Sequence, residues 1–215
     1  MKLRLVAALL PLLAAGIACT DSSAPDRSDR YNWYIVVPPD TLTFHWAPAE
    51  LPVRYWVQDS AHAQVLIQRG ISVWQSTVGA GSFKGILVAD STTADVIVRV
   101  EPLSPFVAAR RLFAGPGTSC EAVTAVDTGS TRFQLLLPMR MDLNVIGDPL
   151  TDSAQACLTR VAAHEGGHTL GLFQHSDDPA DLMYVFPAVN RPSTRDANTV
   201  ITLYGTSRNV VPVGP

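Results

Sequence analysis

The chain has 215 residues, 47% of them hydrophobic and 16% charged, and a formal net charge of −3. That length and apolar content build one globular domain with a sizeable core and leave little room for a second. A net negative chain lacks the basic footprint that counterion release at nucleic acid requires, so no nucleic-acid partner is expected.

Lys2 and Arg4 form a positive n-region, Leu5 to Leu13 an apolar core and Gly16-Ile17-Ala18 a small-residue cleavage site, so residues 1–18 read as a signal peptide. The apolar run is too short to span a bilayer as a stable helix. Ala15-Gly16-Ile17-Ala18-Cys19 resembles a bacterial lipobox, which implies acylation of Cys19. Gly16 stands where leucine is usual, so ordinary cleavage after Ala18 is the alternative. The chain is therefore expected to be exported, as a cell-envelope lipoprotein at the outer membrane or cell surface, or else periplasmic or secreted. Its only expected membrane contact is the lipid. Residues 19–31 are polar, with Pro25 and three serines, and read as a flexible tether. The folded domain is expected over 32–215, acting as a monomer.

Pro52 to Val57, rich in β-branched and aromatic residues, predicts a first strand. Val65, Ile67, Ile71 and Trp74 recur at helix-like spacings between Ala61 and Val78, with Gly79 to Gly81 as the stop. Phe83 to Val88 and Ala94 to Val100 read as neighbouring strands across the turn-prone Asp90-Ser91-Thr92-Thr93. Pro102, Pro105 and Gly115-Pro116-Gly117 break regular structure, and a short strand is expected over Ser119 to Val126. Arg132 to Met139 predicts another, and Gly147-Asp148-Pro149 a loop. Asp152 or Ser153 can cap a helix running from Ala154 to about Leu170. Ser193-Thr194-Arg195-Asp196 has the form of a capping box, opening a last helix through Ala197, Val200, Ile201 and Tyr204 that Gly205 stops.

His164-Glu165-Gly166-Gly167-His168-Thr169-Leu170-Gly171-Leu172-Phe173-Gln174-His175 carries the chemistry. His164 and His168 lie about one helical turn apart, so both imidazoles project from one face and can grip one metal ion. Glu165 sits about 100° round the helix, beside those ligands, where its carboxylate can take a proton from water. A glycine at 171 can adopt the left-handed conformation that ends a helix and turns the chain so that His175 reaches the same ion. Three protein ligands leave one position open, the mark of a catalytic rather than a structural zinc, although three histidines would also accept cobalt, nickel or copper. His45 and His62 read as ordinary structural histidines.

After Cys19, two cysteines remain, Cys120 and Cys157. In an oxidising compartment the pair reads first as a disulfide worth roughly 3–4 kcal/mol on the chain-entropy model. A metal role for Cys157 is the alternative. Seven residues before His164, it lies about 10 Å up the helix axis from that ligand, too far to share an ion whose bonds to sulfur are ~2.3 Å.

With these residues in hand, the segment resembles the extended zinc signature of the metzincins, and of the matrixins among them. His175-Ser176-Asp177-Asp178-Pro179-Ala180-Asp181-Leu182-Met183-Tyr184 is similar to the matrixin run from third ligand to Met-turn. Leu172, Phe173 and Gln174 separate Gly171 from His175 where the family has two residues, which reads as a bulge. The resemblance implies an α+β, zincin-like catalytic domain: a twisted mixed sheet, an active-site helix, a Met-turn and a C-terminal helix. It implies one catalytic zinc on His164, His168 and His175, Glu165 as general base, and Met183 as the floor beneath the metal. It also implies an extended polypeptide substrate lying antiparallel to the sheet's edge strand, here Ser119 to Val126.

The family's second, structural zinc is not expected, since residues 101–163 hold no histidine. Calcium is a further cofactor of the family, with no traceable ligand set here. The expected activity is that of a zinc endopeptidase. Two rivals are a zinc amidase or esterase, and a lipid-anchored metal-dependent binding protein without turnover, against which an intact Glu165 counts.

Overall fold

The computed structural model describes residues 29–58, 61–79, 81–102, 120–145 and 151–214. The signal peptide, Cys19 and Gly147-Asp148-Pro149 lie outside them. Tyr31, assigned above to the tether, is 7% exposed and hydrogen-bonded into the C-terminal helix, so the domain begins before residue 32. A large aromatic ring with a partner for its hydroxyl belongs in a core rather than in a linker.

The described residues form eight strands and three α-helices. Strands β1 (Ile35–Val37) and β2 (Asp40–Leu42) form a separate antiparallel hairpin that the sequence pattern does not announce. The main sheet comprises β3 (Val53–Val57), β4 (Gly85–Leu87), β5 (Val96–Pro102), β6 (Cys120–Thr128), β7 (Gln134–Val145) and β8 (Val211–Val213). Its order is β4-β3-β5-β7-β6, with β8 beside the start of β7. Among the described strands of this sheet β6 alone runs antiparallel to its neighbour, and it forms one edge.

β4 and β5 are not neighbours, contrary to the expectation from their short spacing; β3 lies between them. The reason is stagger: Tyr55 of β3 pairs with Leu87 on one side and Val96 on the other. β4 thus uses the first half of β3 and β5 the second. The usual long return between parallel strands reduces to a short 3-10 turn at Ser91–Thr93.

Helix α1 (Ala61–Val78) buries Ala63, Leu66, Ile67, Ile71 and Trp74, a stripe at helical period, while Val65 faces solvent at 49% exposure. Gly79, at φ +91°, follows its end. Helix α2 (Asp152–Thr169) is capped by Thr151, which accepts from the Ala154 amide at 3.3 Å, one residue before Asp152 and two before Ser153. α1 packs on β3 and β4, α2 on β6 and β7, and the two helices pack on each other. At their crossing Gly70 allows near-backbone contact: a Cβ there would lie 2.8 Å from the Ala163 amide nitrogen. The Trp74 indole donates to the Ala163 carbonyl at 2.6 Å. Helix α3 (Thr194–Tyr204) starts at a capping box made by Ser193 and Asp196.

A candidate metal centre beneath a sheet edge

Helix α2 is buried along most of its length, its last two turns included. Near its end Trp46 donates to the Thr169 carbonyl at 2.8 Å, and Thr169 donates to Gly166 while accepting from the Tyr55 hydroxyl. Leu172 N–H then reaches back to Gly167 and Gly171 N–H to His168, the paired bonds of a Schellman ending. Gly171 supplies the left-handed residue, at φ +107°. No other residue fits, because a Cβ there would sit 2.0 Å from the Phe44 carbonyl oxygen.

The added residue between Gly171 and His175 is absorbed at once. Phe173 N–H donates both to Gly171, closing a tight turn about Leu172, and to the Trp33 carbonyl, each at 3.0 Å. His175 then folds back over α2. The rings of His164, His168 and His175 lie 4.9, 5.0 and 5.2 Å apart, and one potential ligand atom from each falls within 4.8 Å of the others.

Each helix histidine is aimed by its second nitrogen. His164 Nδ1 donates to the Leu182 carbonyl at 2.7 Å, and His168 Nδ1 to the Leu172 carbonyl at 2.6 Å. That tautomer leaves Nε2 unprotonated for a metal. Burial, followed by the neighbouring His168, lowers the pKa of His164 to about 4; burial and then His175 lower that of His168 to about 4. Burial also lowers His175. A set of three neutral imidazoles is the donor chemistry that zinc takes.

Glu165 is 4% exposed, and burial raises its pKa, against the opposing pull of His164 and of a hydrogen bond from Thr124. Thr124, on edge strand β6, donates to Glu165 Oε2 at 2.7 Å. Nothing in the sequence singles out this threonine; its reach depends on how β6 crosses α2.

Met183 is fully buried against α2, with its sulfur where a Cβ on Gly167 would come within 2.3 Å. Its turn is held by Asp196, whose carboxylate accepts from Leu182 and Met183 N–H at 2.7 and 3.3 Å, from Ser193 N–H and from the Tyr31 hydroxyl. In the sequence Asp196 stands out only as the acidic member of a capping box. Asp181, 2% exposed, accepts from Ser176 and from Ser193, tying the His175 loop to α3. Ser176 N–H also donates to the Met183 carbonyl at 2.8 Å.

Cys120 and Cys157 are joined by a disulfide, Cα atoms 5.9 Å apart, linking the start of β6 to α2. The His45 ring nitrogens lie 2.9 Å from the Thr206 carbonyl and 3.2 Å from the Trp46 carbonyl, away from the cluster, and His62 is exposed on α1. A cleft of about 360 Å³ opens over the cluster, lined by Glu165, His168, His175, Thr124 and Val126, with Ile35 from the hairpin.

The family model of the matrixins matches residues 53–205, well over half of the chain. The chain belongs to the matrixin family. The matrixins are a family of zinc-dependent metalloproteases, and the span matched in this chain contains the three histidines, Glu165 and Met183. A stretch of 62 residues is 47% identical to "Interstitial collagenase" of Equus caballus, covering 27% of this chain and 13% of that protein. The β1–β2 hairpin and Tyr31 precede the matched span.

Proposed function

We propose that this matrixin is an endopeptidase that cuts extended polypeptides, with His164, His168 and His175 holding one zinc ion, Glu165 as general base and then acid, and Met183 as the floor beneath the metal. The observation that carries this reading is the convergence of three imidazoles beside a buried carboxylate, at the foot of a sheet edge that no described strand pairs with. Zinc, when bound, supplies Lewis-acid chemistry, polarising a carbonyl and making water a usable nucleophile near neutral pH.

The protein's own groups do the rest. Thr124 occupies Glu165 Oε2, so Oε1 is free to take the proton of the attacking water and to return it to the departing amine. The outer edge of β6, unpaired among the described strands, offers alternating N–H and C=O groups to an extended chain lying antiparallel to it. That mode of binding supports polypeptide over small-amide or ester substrates.

The test is metal content and cleavage of unfolded casein by the purified protein beside Glu165→Ala. One zinc in each and cleavage only by the unsubstituted protein is the expected result. Absence of zinc, or cleavage surviving the substitution, would overturn the reading. We further propose that the chain is exported and acylated at Cys19; a Cys19→Ser protein should lose label from radioactive palmitate and leave the membrane fraction.

A further inference from the structure

We infer that the N-terminal hairpin, which lies outside the family's matched span, forms the wall that reads substrate residues preceding the scissile bond, with Ile35 as its specificity-determining side chain. The inference rests on the peptidase reading above. Ile35 lines the cleft over Glu165 together with Val126 and Phe173, all three partly buried and packed against the core. It also lines an adjoining cavity of about 780 Å³ with His175, Arg30 and Arg195. Ile35 and His175 therefore stand where an apolar stretch of one groove passes into a polar one.

The hairpin is held in place from three directions. The Trp33 carbonyl, two residues before Ile35, accepts from Phe173 in the loop that carries His175. Asn209 accepts from the Thr43 amide and donates to the Thr41 carbonyl. Asp40 pairs with Arg132, in the turn between β6 and β7. That last contact sets the direction. It places the hairpin tip by the C-terminal end of β6, and a substrate antiparallel to β6 has its N-terminal part at that end. Residues before the cut thus run between β6 and β1, and an apolar side chain among them meets Ile35, Val126 and Phe173.

The experiment sequences the casein peptides released by the purified protein, by Ile35→Lys and by Ile35→Ala, and measures kcat and KM on a peptide built from the preferred site. The unsubstituted protein is expected to favour an aliphatic residue at one position before the cut. Ile35→Lys should replace that preference with an acidic one at the same position and lower kcat/KM for the aliphatic peptide about tenfold, the scale of one apolar contact in a pocket. The loss should fall in KM, with zinc content and kcat held. Ile35→Ala should weaken the preference without reversing it, and it decides the matter if the lysine variant does not fold.

An unchanged preference before the cut, or a change confined to positions after it, overturns the inference. A rise in activity in both variants would mean that the wall holds a segment of this chain instead, and overturns it too. If the unsubstituted protein cleaves nothing, binding of a leucine-containing casein peptide to the zinc-loaded protein separates the two readings. Weaker binding by Ile35→Lys keeps the wall while the peptidase reading falls; equal or absent binding removes both.

Discussion

Glu165 keeps its carboxylate in a place that disfavours charge, and the Thr124 hydroxyl is one of the two groups that offset this. Thr124→Val preserves shape and removes the donor. Loss of a hydrogen bond that lowers the Glu165 pKa must raise it, so the acid limb of kcat/KM should move to higher pH, with kcat lower by about tenfold, the lower end of what a hydrogen bond to a charged group contributes. Zinc content should stay at the level of the unsubstituted protein, which distinguishes this positioning role from damage to the metal site. At this scale the three histidines and Glu165 were legible because their chemistry demands fixed residue types at helical spacing. Thr124 was not, since a threonine in a strand is ordinary and only the strand's passage over α2 gives it a role. Asp196 was half legible: the capping pattern is local, while its grip on the Met-turn comes from an element 13 residues away in sequence.

Between elements, the α1–α2 crossing makes a prediction whose sign is the test. Glycine within a helix ordinarily costs about 1 kcal/mol relative to alanine, so Gly70→Ala in an exposed helix would stabilise. Here the added Cβ would lie 2.9 Å from the Ala162 carbonyl carbon and 2.8 Å from the Ala163 nitrogen. Urea denaturation of Gly70→Ala should therefore show a loss of ~1–3 kcal/mol, as overpacking does, and the Trp74 bond to Ala163 should loosen with it. Helices were the better-read elements, because eighteen residues of α1 repeat one pattern several times. Its single misplaced residue, Val65, sits one position from the buried Leu66. Strand order was not legible between β4 and β5, where two short runs with a turn between them look alike whether they pair or flank a third. Three-residue strands such as β1, β2 and β8 carry too few residues to show an alternation.

For the whole molecule, metal and acid compete for the same nitrogens. In the metal-free protein His164 and His168 titrate near 4 instead of 6.5, so the unfolded chain takes up protons first as pH falls. The stability tied to those neutral rings is present above about 6.5 and is lost as pH drops toward 4. Chelated protein should therefore melt at progressively lower temperature across that window. Zinc added near pH 7 should raise the melting temperature by mass action, and should do so less as the solution is acidified.

The seating of the N-terminal segment sets where such an enzyme could work. Arg30 lines the cavity beside His175, and its guanidinium meets Thr202 of α3. The eleven residue-to-residue steps from Cys19 to Arg30 can span at most ~40 Å at ~3.6 Å per step. With Cys19 acylated, the cutting groove becomes a leashed tool whose working radius is comparable to the thickness of the bilayer beneath it. Its quarry would then be whatever lies on, or threads past, that one patch of membrane, sampled by lateral diffusion rather than from the bulk.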